Sequence, residues 1–191
     1  MKQTVDNVPE ILFHNAQGFY DLGIHAAFNI DKRPGIEGFQ MIAPAAVCVS
    51  FAVELFLKGL YLVTTKKPIK GHDLLSLYKA LPEVVKAKIE VRYMKHQQND
   101  KDRKDLPAFR MIVKKAKDQT QDPPDGGTPT LEKLLKTHSK NFEKWRYLHE
   151  ISQLGYSYEM DFRSINCLAK SLAETVNEAP INKRFHLAKV K

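Results

Sequence analysis

The amino-acid sequence predicts an all-α protein, an up-and-down bundle of four to five core helices with a helical and loop-rich insertion. Three observations carry this expectation. Apolar residues recur at three- and four-residue spacings in several long segments, the period of a helix buried along one face. No stretch shows the sustained polar–apolar alternation of a half-buried strand. The stretch from Ala45 to Val63, AAVCVSFAVELFLKGLYLV, is apolar almost throughout, except that Ser50, Glu54 and Lys58 fall four residues apart and line one stripe of a helix. It reads as a buried central helix carrying one charged line.

The elements follow in chain order. Pro9 to Ile30 is helical in period through Ile11, Leu12, Phe19, Leu22, Ala26 and Ile30, and stops at DKRPG, where Pro34 disfavours helical geometry at Arg33. The central helix begins around Phe39 to Pro44, with the proline acceptable in a first turn, and runs to about Thr65. KKPIKGHDLLSLYKALP then gives a basic loop, a Gly-His-Asp turn and a brief helix that Asp73 is placed to cap. Pro82 and Glu83 open a further helix, PEVVKAKIEVRYMKHQQ. NDKDRKDLP reads as an exposed loop, AFRMIVKKAK as a short amphipathic piece, and QTQDPPDGGTP as a mobile connection. Helical period returns from Thr130, a candidate N-cap, to Ser152, and again from Met160 to Ala179, where Pro180 ends it. These boundaries give one domain over residues 1–180, a basic insertion at 96–129 and a basic tail at 181–191.

Charge and composition narrow the function classes. The net charge of +8 is uneven: residues 1–85 carry eight basic against eight acidic groups, residues 86–117 eleven against four, residues 118–180 seven against ten, and the last eleven residues four against none. The basic middle segment either attracts the phosphates of RNA or forms a solvated helix face and loop. Met41 to Val63 has the length of a membrane span, but Glu54 and Lys58 would each cost about 2.5–3.5 kcal/mol near a bilayer centre, so no membrane association is expected. The N-terminus MKQTVDNVPEILFHN lacks the apolar core of a secretory signal, and Cys48 and Cys167 lie in apolar helical patterns without CxxC spacing. A cytoplasmic protein with buried free thiols is the expectation. His14 and His25 lie three turns apart, too far to share one ion, and no metal-ligand or cofactor fingerprint occurs.

Three polar clusters could bear chemistry. Glu54 and Lys58 form either a buried ion pair setting helix register or one wall of a ligand cleft. In FEKWRYLHE, Arg146 and Glu150 share a helix face with His149 beside it, while Trp145 and Leu148 reach toward the core. Arg beside His suits phosphodiester cleavage, one holding phosphate and the other moving protons, whereas an Arg146–Glu150 pair joined to Glu54 and Lys58 makes a structural polar seam. His72 and Asp73, after Gly71, form a turn in which the His could face a substrate.

The combination of AVELFLKGLYL, KGHDLLSLYKALP and FEKWRYLHE resembles the HEPN domain, a family of all-helical bundles found in bacterial toxin–antitoxin, antiphage and RNA-processing systems. The resemblance covers about residues 40–85 and 130–178. It implies a bundle of four or five helices, often a homodimer, and for many members metal-independent endoribonuclease activity; RNA, a nucleotide or a cognate protein is the expected partner, and no cofactor is expected. Ribonuclease members separate Arg from His by four to six residues, whereas two stand between Arg146 and His149. A non-catalytic binding and dimerisation module is therefore the leading expectation, and a ribonuclease with a variant site made of Arg146, His149 and His72 the other. Glu54, Lys58, Asp73, Arg146 and Glu150 are the expected ligand-binding or seam residues.

Overall fold

The computed structural model describes residues 8–112, 128–147 and 157–178, and these form an all-α protein with one small sheet. The first helix, α1 (Val8–Phe28), packs along α2 (Ile36–Thr65) through two close approaches. Gly23 lies against Val49 and Gly59 against the ring of Phe13, so the two helices run antiparallel. Their connection turns at Gly35, which has a φ of 54°. The α2 helix ends where Lys66 adopts a left-handed conformation and its N–H bonds the carbonyl of Leu62.

The central helix begins earlier than its sequence suggests, and Pro44 lies well inside it rather than in its first turn. Pro44 and Gln40, whose carbonyl loses the N–H that another residue at 44 would donate, are both exposed. Among the described residues, α2 is the one helix long and apolar enough to cross a membrane, and 67% of its most apolar window is buried inside the protein. Ser50 and Glu54 are buried with that window, so the polar stripe faces the interior rather than solvent.

Beyond α2 come α3 (Leu74–Lys79) and α4 (Glu83–Asn99). Asp73 caps α3 by accepting from the Ser76 N–H at 2.7 Å. A 3-10 turn at Lys101–Asp105 then leads into β1 (Ala108–Ile112), which pairs antiparallel with β2 (Ser157–Asp161), Phe109 opposite Met160. This sheet makes a strand of the first five residues of AFRMIVKKAK, which the sequence marks only as a short amphipathic piece. The five residues AFRMI carry no polar–apolar alternation that would mark them in sequence, and pairing with a strand far along the chain is what makes them a strand. Gln97 and Leu106 are buried, so residues 96–112 of the expected insertion are built into the fold. Residues 113–127 lie outside the described residues, as does the tail from 181.

Over the described part of the single helix expected from Thr130 to Ser152, residues 130–147, the chain forms two short helices, α5 (Leu131–Thr137) and α6 (Asn141–Arg146). Thr130 caps the first, as its position suggests, accepting from Lys133 N–H at 3.2 Å. The break falls at His138–Lys140, where Ser139 hydrogen-bonds Asp73 through its hydroxyl and accepts from the Leu74 N–H through its carbonyl. The last helix, α7 (Phe162–Asn177), capped by Asp161, presents Ile165, Leu168, Leu172 and Val176 to the core and packs against α1, α2 and α4.

Candidate functional site

The site grows from one buried acid. Glu54 sits in the middle of α2, which α1, α3, α6 and α7 surround, and only 1% of its side chain is exposed. An ionised carboxylate is tolerated at such a place only when its oxygens are bonded. Lys58, one turn along the helix, donates to Oε1 at 2.7 Å. His72 brings Nδ1 to 3.0 Å from Oε1 and 3.1 Å from Oε2. An ionised carboxylate only accepts, so Nδ1 carries the hydrogen, and Nε2 has no hydrogen-bond partner among the described residues.

Local structure holds His72 in place. Gly71 has a φ of 103°, a conformation that side chains strain, and lets the chain turn sharply from the basic loop. On the other side, Asp73 caps α3 and accepts from Ser139. Burial alone would raise the Asp73 carboxyl, but hydrogen bonds from Ser139 and Ser76 outweigh it and hold the pKa below the ordinary carboxylate range. The His72 loop is thereby fastened where it enters α3.

An aromatic column stands beside the acid. The His72 ring stacks on Phe142 at 5.9 Å, Phe142 stacks on Phe51 at 4.8 Å, and Phe51 meets the edge of Phe19 at 4.7 Å. Arg146, one turn beyond Phe142 on α6, lays its guanidinium over that ring at 4.7 Å and over Tyr147 at 4.4 Å. Buried Glu54, 20% exposed Lys58 and 49% exposed His72 thus pass outward to an exposed arginine on aromatic faces.

Among the sequence-derived candidates, Glu54, Lys58, His72 and Asp73 come together. The expected pairing of Arg146 with the Glu54–Lys58 side does not form: Arg146 makes no ion pair among the described residues, because the ring of Phe142, four residues before it, occupies its inner face. His149 and Glu150 lie outside the described residues. Phe51, Phe142 and Tyr147 were missed as site residues, although spacing places Phe51 on the face of Glu54 and Lys58, and Phe142 on that of Arg146.

The basic face of α4 is largely committed. Arg92 donates to Thr175 at 2.7 Å and pairs with Glu174 and Glu178, Lys88 approaches Glu178 at 3.5 Å, His96 bonds Glu174 at 3.0 Å, and Lys86 bonds Glu83 at 2.6 Å. Glu174 on α7 and Glu178 just after it therefore offset the charge of Arg92 and, more loosely, of Lys88. Among the described residues no three His, Cys, Asp or Glu side chains gather as metal ligands. No protein-family model, curated protein or solved structure matches this chain, so the likeness to HEPN domains rests on the sequence motifs alone.

Proposed function

We propose that this chain is a HEPN-like helical module that self-associates and binds RNA or a nucleotide through Arg146, His72 and Lys58, in a bacterial defence or toxin–antitoxin setting. One observation carries the reading: Arg146 is exposed, its guanidinium lies over the rings of Phe142 and Tyr147, and it has no carboxylate partner among the described residues. A phosphate needs an uncommitted cation, and a base needs a π-face; both meet at this edge. Anisotropy titration with a short labelled single-stranded RNA and with a labelled nucleotide tests it. Arg146→Ala is expected to weaken binding at least about tenfold, or about 1.4 kcal/mol. Equal affinity of both proteins at low salt removes Arg146 from the reading, and absence of binding removes these ligands.

A second reading, a metal-independent endoribonuclease, draws on the Glu54–His72 pair. A carboxylate bonded to Nδ1 orients an imidazole whose Nε2 can then take a proton from a ribose hydroxyl, with Arg146 stabilising charge on the phosphate. RNA cleavage that persists in chelator and disappears in both His72→Ala and Arg146→Ala supports it. RNA left intact by the wild-type protein ends it.

A further inference from the structure

The outer face of α4 carries large apolar side chains that nothing described covers. Val84 is 71% exposed, Val91 68% and Met94 60%, and Ala87 and Gln98 on the same line are exposed as well. Positions 84, 87, 91, 94 and 98 alternate spacings of three and four, the seam of a two-helix coiled coil. The opposite face is already occupied: Ile89, Tyr93 and Gln97 are buried, and Arg92 and His96 are tied to α7. The helix is therefore folded and held before any partner arrives, which removes the ordering cost that a free helix would pay.

The charges beside the stripe say what fits it. Glu83 and Glu90 follow one edge and Lys88 and Lys95 the other, all exposed. Two copies of α4 side by side and parallel set Glu83 against the partner's Lys88 and Glu90 against the partner's Lys95, and the two-fold axis repeats both pairs. An antiparallel arrangement sets Glu against Glu and Lys against Lys. The existing bonds of these groups do not prevent the exchange. Lys88 meets Glu178 only at 3.5 Å across an exposed surface, and Glu83 and Glu90 receive Lys86 and the Tyr78 hydroxyl on Oε1, each leaving its second oxygen.

We infer that α4 is a self-association surface on which a second copy of this chain packs parallel along Val84, Val91 and Met94. The inference rests on the self-association in the function proposed above and is independent of RNA binding. With little more than two heptads, the contact belongs at the weak end of specific interfaces.

Sedimentation equilibrium of the full chain, over about two decades of concentration centred near 10 µM, tests it. The wild type is expected to follow a monomer–dimer equilibrium. Val91→Glu and, separately, Met94→Glu are expected to weaken it at least about tenfold while circular dichroism stays unchanged, since both positions are exposed. Lys95→Glu is expected to weaken the dimer, and Glu90→Lys combined with Lys95→Glu to restore it, because the swapped charges face each other again. A dimer indifferent to Val91→Glu and Met94→Glu places self-association elsewhere and overturns the α4 surface alone. A dimer strengthened by Lys95→Glu overturns the parallel register. A chain monomeric throughout overturns the inference together with the self-association on which it rests.

Discussion

Two histidines show how burial assigns opposite roles to one side chain. His72 is half exposed and holds Nδ1 against the Glu54 carboxylate. His138 is buried in the α5–α6 junction, where its Nδ1 is 2.7 Å from the Asn141 side-chain nitrogen. Burial pushes the His138 pKa down to about 4; nearby Asp161 and Glu159 oppose the shift and Lys144 aids it. The unfolded chain thus binds a proton near pH 6.5 that the folded chain refuses until about pH 4. Stability from this group is complete above pH 6.5 and is lost as pH falls toward 4, amounting to about 2 kcal/mol by pH 5. Urea unfolding at pH 7 and pH 5 is expected to show a loss of that order in the wild type and a smaller one in His138→Gln. A loss of the same size in both would locate the acid sensitivity elsewhere. At this scale Glu54 and Lys58 were legible because apolar neighbours leave them no solvated face, and Asp73 because a cap has a local signature. The stacking of Arg146 was not, because it depends on where α6 ends and on a ring from the same helix.

Between elements, the closest packing is that of α1 on α2, and glycine makes it close. A Cβ on Gly23 would stand 2.8 Å from the backbone nitrogen of Val49, inside its helix, whereas a Cβ on Gly18 would meet nothing within 4 Å. The same substitution should therefore change sign within one helix. Gly18→Ala is expected to stabilise by about 0.5–1 kcal/mol, the difference in helix propensity. Gly23→Ala gains the same propensity but must push α2 away, and a net loss of about 1–2 kcal/mol is expected in urea titration. Equal effects at the two sites would mean that α1 and α2 do not approach closely at Gly23. The long helices α1, α2, α4 and α7 were legible to within a few residues because each repeats an apolar face over many turns. The break between α5 and α6 was not, since the period runs on through it and the cause is a bond to Asp73, 66 residues away in sequence. The strands escaped for the same reason, their pairing being set from a distance.

Across the whole molecule, the ends of the chain order meet at Asp100, just beyond α4. Its buried carboxylate accepts from Asn166 at 2.9 Å and from Lys170 at 3.0 Å and 3.1 Å, while Asn166 in turn accepts from the Tyr20 hydroxyl on α1. Three helices, α1, α4 and α7, are thus joined through one acid that sequence reading left in an exposed loop, because NDKDRKDLP looks uniformly polar and only the fold distinguishes its first aspartate. Little of Asp100 or Lys170 reaches solvent, so each ion depends on the other for much of what it gave up on leaving water. Asp100→Ala is expected to cost about 3 kcal/mol, and Lys170→Met a comparable amount, since neutral hydrogen bonds replace a lost counter-ion beside a buried carboxylate only in part. Combined as Asp100→Ala with Lys170→Met, the losses should fall short of their sum by at least about 1 kcal/mol, because neither ion is then left behind. Urea titration of the four proteins closes the cycle. Strict additivity would mean that the two groups act independently and that α4 and α7 are held by apolar contacts and the Arg92 cluster instead.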